Sequence, residues 1–147
     1  MNLTHDPADI IRYLLIDLSS ATLPTANGTW PAYSANEPDT PDNCITVYNT
    51  TGNIQARLNL TGAQVEKFGV QIRVRGATHP IGFAKGKTIE NKMDTEVYRD
   101  VVTIASSQYL VHAVSRSGTL IFAGKDASSS KRFIFTLNIL VDVRQLS

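Results

Sequence analysis

"GFAKGKT", Gly82–Thr88, decides between two folds. It follows the strand-like run "FGVQIRVRG" at 68–76. A phosphate-binding loop here would place the chain among nucleotide-binding parallel sheets. A helix here would pack on an antiparallel sheet instead. The phosphate loop requires G-x-x-x-x-G-K-[ST], a spacing that lets consecutive backbone N–H groups wrap the phosphates before a helix begins. In this chain only three residues separate Gly82 from Gly86, and Ile81 stands where the first glycine is needed. "NILVD", ending at Asp142, imitates the strand and magnesium-binding Asp of such proteins. The strands that follow are nevertheless too closely spaced to hold the crossover helices of a parallel sheet. The helical alternative starts at Thr78 as cap with Pro80 in the first turn. It puts Gly82, Gly86, Ile89, Met93 and Val97 on one buried stripe, with both glycines against the sheet. Lys85, Lys87, Glu90, Lys92, Asp94 and Glu96 form its solvated face.

Outward from this helix, the N-terminal run "HDPADIIRYLLIDLSS" predicts a second one. Asp6 is its cap, Pro7 its first residue, Asp9 adds first-turn charge, and Ile11, Leu14, Leu15 and Leu18 make its apolar face. Between Thr22 and Asn43, Pro24, Pro31, Pro38 and Pro41 break regular structure, which leaves an ordered loop with one short strand near Ala32–Ser34. Glu37, Asp39 and Asp42 in that loop lack the ligand spacing of a calcium site and read as turn chemistry.

"CITVYN" and "EKFGVQIRVRG" read as strands, the latter with Val70, Ile72 and Val74 toward the core and Gln71, Arg73 and Arg75 on a polar face. "DVVTIAS", "QYLVHAVSR", "TLIFAGK" and "KRFIFTLNILVDVR" then predict a meander of antiparallel strands. In the last of them Phe133, Phe135, Leu137, Ile139, Val141 and Val143 share a face. The expected fold is α+β: a mainly antiparallel sheet with an N-terminal and a central helix packed on it, as one domain over residues 1–147.

Composition narrows the function. A net charge of +1 provides no global field for nucleic acid or anionic lipid. No apolar run approaches the ~20 residues of a membrane span. The single cysteine, Cys44, cannot form an internal disulfide and reads as a small buried residue. Without a secretory signal the Asn-x-Ser/Thr matches carry no weight, and folding in a reducing cytoplasm is the expectation. His5, His79 and His112 are dispersed, with no metal-site spacing around them, and no serine occupies a nucleophile elbow. Arg73, Arg75, Lys131 and Arg132 lie near aromatics, but in the last strand the rings point away from Arg132, so no base-stacking platform forms. The basic residues read as a solvated or partner-facing row. No cofactor is expected.

"HDPADIIRYLLID", "WPAYSANEPDTPDNCITVYNT", "FGVQIRVRG" with "HPIGFAKGKTIENKMD", and "YLVHAVSRSGTLIFAG…KRFIFTLNILVDVR" together resemble the small minor capsid and tail-terminator (neck) proteins of long-tailed bacteriophages. The resemblance spans nearly the whole chain. It implies a structural protein without enzyme activity, made in the host bacterial cytoplasm. In the virion it would form a ring, usually of six subunits, that caps the tail tube and meets the head–tail connector protein. A head-completion or other neck protein, and a small ligand-binding or enzymatic α+β domain, are the alternatives.

The stretch "TTGNIQARLNLTGAQ", Thr50–Gln64, is longer than a hairpin turn needs. It is expected to form an extended loop or hairpin arm ordered by an adjacent subunit or the tail tube. Ile54, Arg57, Leu58 and Leu60 of this arm, with Arg73, Arg75, Lys131 and Arg132, are the candidate contact residues.

Overall fold

A computed structural model describes residues 3–24, 28–54, 66–126 and 132–146. Its elements run in the order α1 (Pro7–Asp17), β1 (Ala32–Ser34), β2 (Cys44–Ile54), β3 (Glu66–Gly76), α2 (His79–Thr95), β4 (Asp100–Ile104), β5 (Ser107–Arg116), β6 (Ile121–Lys125) and β7 (Phe133–Gln145). The fold is α+β, and Gly82–Thr88 is helix. The two residues that a phosphate loop would use are engaged within that helix. Lys87 Nζ donates to Glu90 Oε1 at 2.6 Å, and the Thr88 hydroxyl donates to the Ala84 carbonyl at 2.9 Å.

The seven strands form one sheet in the order β1-β2-β3-β7-β5-β4, with β6 also paired to β7. Every pairing is antiparallel except β1 with β2. The expected four-strand meander is modified in one respect. β5 pairs with the C-terminal half of β7 and β6 with its N-terminal part, on the same edge. The two are one strand interrupted at Ser117–Leu120, and Ser117 N–H donates to Asn138 O across the break at 2.9 Å. Register shifts in β2, β5 and β6 add residues to one side of their ladders, which bends the strands and curls the sheet.

Both helices lie on one face. Ile10, Ile11, Leu14 and Leu15 of α1 join Ile89 and Met93 of α2 in a single core with Val47, Val70, Ile72, Val74, Val111 and the alternating residues of β7. The caps are those the sequence predicts. Asp6 Oδ1 accepts from Asp9 N–H at 2.8 Å, and the Thr78 hydroxyl accepts from Ile81 N–H at 3.4 Å. A side chain from the sheet adds to the first cap, because Asn49 Oδ1 accepts from Ala8 N–H at 2.9 Å.

The glycine stripe of α2 divides into two contacts. Gly82 sits where β3 ends: a Cβ on Gly76 would lie 2.6 Å from Gly82 N, and one on Gly82 would lie 2.9 Å from the Phe135 ring. Gly86 faces the edge of the sheet at its break. Its neighbour is the Leu120 side chain in the break between β5 and β6, 2.7 Å from where a Cβ would stand. The helix ends at Thr95, so Val97 follows it and is only partly buried against the core.

Candidate functional site

The opposite face of the sheet was expected to be polar and open, and one end of it is covered instead. A parallel partner cannot be joined by a tight turn, so the chain after β1 must travel back along the strand before β2 begins. Residues 35–43 make that return over the polar face. Their route explains the arginines. Arg75 is only 2% exposed; its Nη2 donates to Pro41 O at 2.6 Å, its Nε donates to Asp42 O at 3.3 Å, and Glu37 lies 3.8 Å from Nη1. Arg132 is also buried. Its Nε donates to Asp126 Oδ2 at 2.8 Å, and its Nη1 reaches Asp39 O and Asp42 Oδ1. Arg73 and Glu37 approach to 3.2 Å as charges, without the alignment of a hydrogen bond. A buried cation needs partners, and here the proline-rich crossover supplies them.

Of the candidate contact residues, then, Arg75 and Arg132 are interior clamps on the crossover, and Arg73 is half-buried beside them. The acids Glu37, Asp39 and Asp42, read as turn chemistry, belong to the same clamp. Ile54 is the last residue of β2. Arg57, Leu58, Leu60 and Lys131 lie outside the described residues.

The expected arm at Thr50–Gln64 begins as sheet. Thr50 pairs with Gly69 and Ile54 with Glu66, with a register shift between Thr50 and Asn53. That bulge brings the strands into contact, since a Cβ on Gly52 would lie 2.1 Å from Lys67 O and one on Gly69 would lie 2.3 Å from Thr51 O. β7 accompanies β3 only from Phe68 onward, so the pairs Asn53–Lys67 and Ile54–Glu66 extend past the third strand. The continuation, residues 55–65, is outside the described residues.

Glu90, expected in the solvated face, is buried. Besides Lys87, its carboxylate accepts from Leu120 N–H at 2.8 Å and pairs with Arg116 Nη1 at 3.4 Å; Arg116 Nε also donates to Asp94 Oδ1 at 2.8 Å. The Lys87 hydrogen bond holds the carboxyl below the usual glutamate range, against the opposing effect of burial. Committed to three donors, Glu90 fastens α2 to the break between β5 and β6. The only sequence sign of it was the Lys87–Glu90 spacing on a helix.

The histidines sit in separate settings. His5 Nδ1 lies 2.6 Å from the Tyr109 hydroxyl, while His79 lies among Phe83, Phe122, Phe133 and Phe135 at ring-centroid distances of 5.1–6.4 Å. Cys44 is buried, which pushes its thiol up. Among the described residues no group of three or more His, Cys, Asp or Glu could hold a metal ion. No described helix is long and apolar enough to cross a membrane.

What the surface does offer is exposed apolar side chains. Phe83 at the start of α2 and Phe122 on β6 form one patch, bridged by the His79 ring, while Ile81 and Ile121 are exposed on other sides of the same helix and strand. Tyr98 and Val101 are exposed beyond the other end of α2. Surfaces of this kind serve contact between proteins. A search of the curated proteins gives no match. A family model described as bacteriophage tail terminator protein matches residues 10–144.

Proposed function

The chain belongs to the bacteriophage tail terminator family, a family of structural proteins of the phage tail, and from that membership we propose that it closes the finished tail tube as a ring, usually of six subunits. In this reading the ring caps the tube and presents its other side to the head–tail connector. The match over residues 10–144 carries the proposal. The fold is compatible with it: a curled sheet backed by helices offers several surfaces to neighbours, and exposed apolar residues stand at separate places on the protomer. The β2–β3 hairpin supplies the arm, with Thr50–Ile54 and Glu66–Gly69 as its base and residues 55–65 as the part that contacts an adjacent subunit or the tail tube.

Electron microscopy of particles tests the assignment. A ring of this chain at the head-proximal end of the tail is the expected result, and a single copy, or none, at that position would overturn it. The arm has its own test. Deleting residues 53–59 should leave the melting transition of the protomer in place and abolish ring formation or tail attachment, and infectious particles built from the deletion variant would refute the arm.

A further inference from the structure

Of the exposed large apolar residues among those described, Phe83 and Phe122 gather around His79 at the N-terminal end of α2, and Tyr98 and Val101 follow its C-terminal end. The helix has 17 residues, so the two groups stand about 25 Å apart. Their electrostatics differ. At the first group the positive end of the α2 dipole is joined by Lys125, whose ammonium lies 5.1 Å from the Phe133 ring centroid. The second borders a cleft of about 410 Å³ lined by Leu14, Asp17, Leu18, Glu96, Asp100 and Val101. Asp100 Oδ2 is buried there without a hydrogen-bond partner. The Asp17 carboxyl is pushed up, by burial first and by the charge of Asp100 second. Asp17 and Asp100 thus share a half-dry cleft, and Lys92 beside it is engaged with Glu96 and the Leu18 carbonyl.

We propose that the aromatic patch around Phe122, with Lys125, docks into the acidic cleft at Val101 and Asp100 of a second copy, forming a head-to-tail contact. The inference rests on the ring reading above and assigns surfaces to it. A second copy is the fitting occupant because one chain carries both halves, apolar on each side and opposite in charge. Pairing like with like would set Lys125 against Lys125, or the two aspartates against their equivalents. Two different surfaces on one chain also meet the geometric need of a ring, in which each subunit contacts its neighbour heterologously.

The single native cysteine is buried, so introduced thiols report cleanly. Phe122→Cys and Val101→Cys proteins, treated with a short bis-maleimide, should yield covalent dimers when mixed and almost none when each is treated alone. The double variant should give a ladder ending at the ring size. Asp100→Lys or Lys125→Glu should lower capture about tenfold or more, and Asp100→Lys on one partner with Lys125→Glu on the other should restore it. Dimers of Phe122→Cys with itself, or capture indifferent to both charge reversals, would overturn the proposal. Lysine cross-linking of the wild-type chain, in solution and in assembled particles, separates the two levels. Self-association without Phe122–Val101 capture rejects these surfaces and keeps the ring, whereas no self-association in either setting rejects both.

Discussion

The two helices share one face of one sheet and are held there by opposite means. α1 is fixed by side-chain volume: Ile10, Ile11, Leu14 and Leu15 are fully buried and fill the space between helix and strands. α2 buries Ile89 and Met93 in its second half but has little volume on the inner side of its first turns. Its first turns approach through Gly82 until backbone meets backbone at Gly76, and its middle is fastened by the buried Glu90 to Arg116 and the Leu120 amide. Near their C-terminal ends they touch, where Lys92 Nζ donates to the carbonyl of Leu18. Hydrophobic burial tolerates small shifts, because area is non-directional. A close backbone approach and a saturated carboxylate tolerate none, so α2 is the helix whose position is fixed most narrowly.

Substitutions should separate the two modes. Leu15→Ala empties core volume under α1 and should cost about 2–5 kcal/mol in chemical denaturation. A cost below about 1 kcal/mol would mean that α1 is dispensable. Gly76→Ala places a methyl where the α2 backbone stands, and a loss of about 1–3 kcal/mol is expected from the forced separation. Gly86→Leu should cost a similar amount by displacing Leu120. Gly86→Ala is the sharpest comparison, because the atoms it meets are the mobile end of a leucine and alanine regains helix propensity of about 1 kcal/mol. Its net effect should stay within about 1 kcal/mol of zero.

Glu90→Gln tests the ionic fastening. Loss of one charged partner of a buried network is expected to cost about 1–3 kcal/mol at neutral pH. The pH profile adds a signature. The folded carboxyl is held below the unfolded value of about 4.3, so its contribution is complete above that value and disappears as pH falls through the lower folded one. The wild-type chain should therefore lose stability on acidification below about pH 4.3, and the Gln variant should show a shallower loss. Equal acid slopes would show that Glu90 is not the group responsible.

The same contrast explains what was legible in the sequence. α1 announces itself through Asp6, Pro7 and a run of branched apolar residues, and α2 through Thr78, Pro80 and spaced glycines, all signals that lie within one or two turns. The alternation in β3 and β7 likewise fixes which face is core. Alternation cannot tell whether the opposite face is bare, and so Arg75 and Arg132 read as exposed although residues 35–43 fold over them. Glu90 was misplaced for a related reason: its partners Arg116 and Leu120 are 26 and 30 residues away, and nothing local to the helix points at them. The two exposed apolar groups were invisible until the fold set Phe122 beside His79 and Val101 at the cleft that Leu14 also lines.

The covering of those arginines also imposes an order in time. Asp39 and Arg132 are 93 residues apart, and Pro41 and Arg75 are 34 apart, so the crossover can be sealed only after β3 and β7 already lie side by side. Closing chain segments of that length costs entropy before any contact compensates it, which makes the seal a late event in folding. Weakening it, as in Glu37→Gln, should accelerate unfolding in stopped-flow experiments while refolding proceeds at the wild-type rate. An equal slowing of refolding would place the crossover inside the folding nucleus. With the seal formed last, the crossover governs how long a finished protomer keeps its shape, while pairing within the sheet governs how quickly that shape is reached.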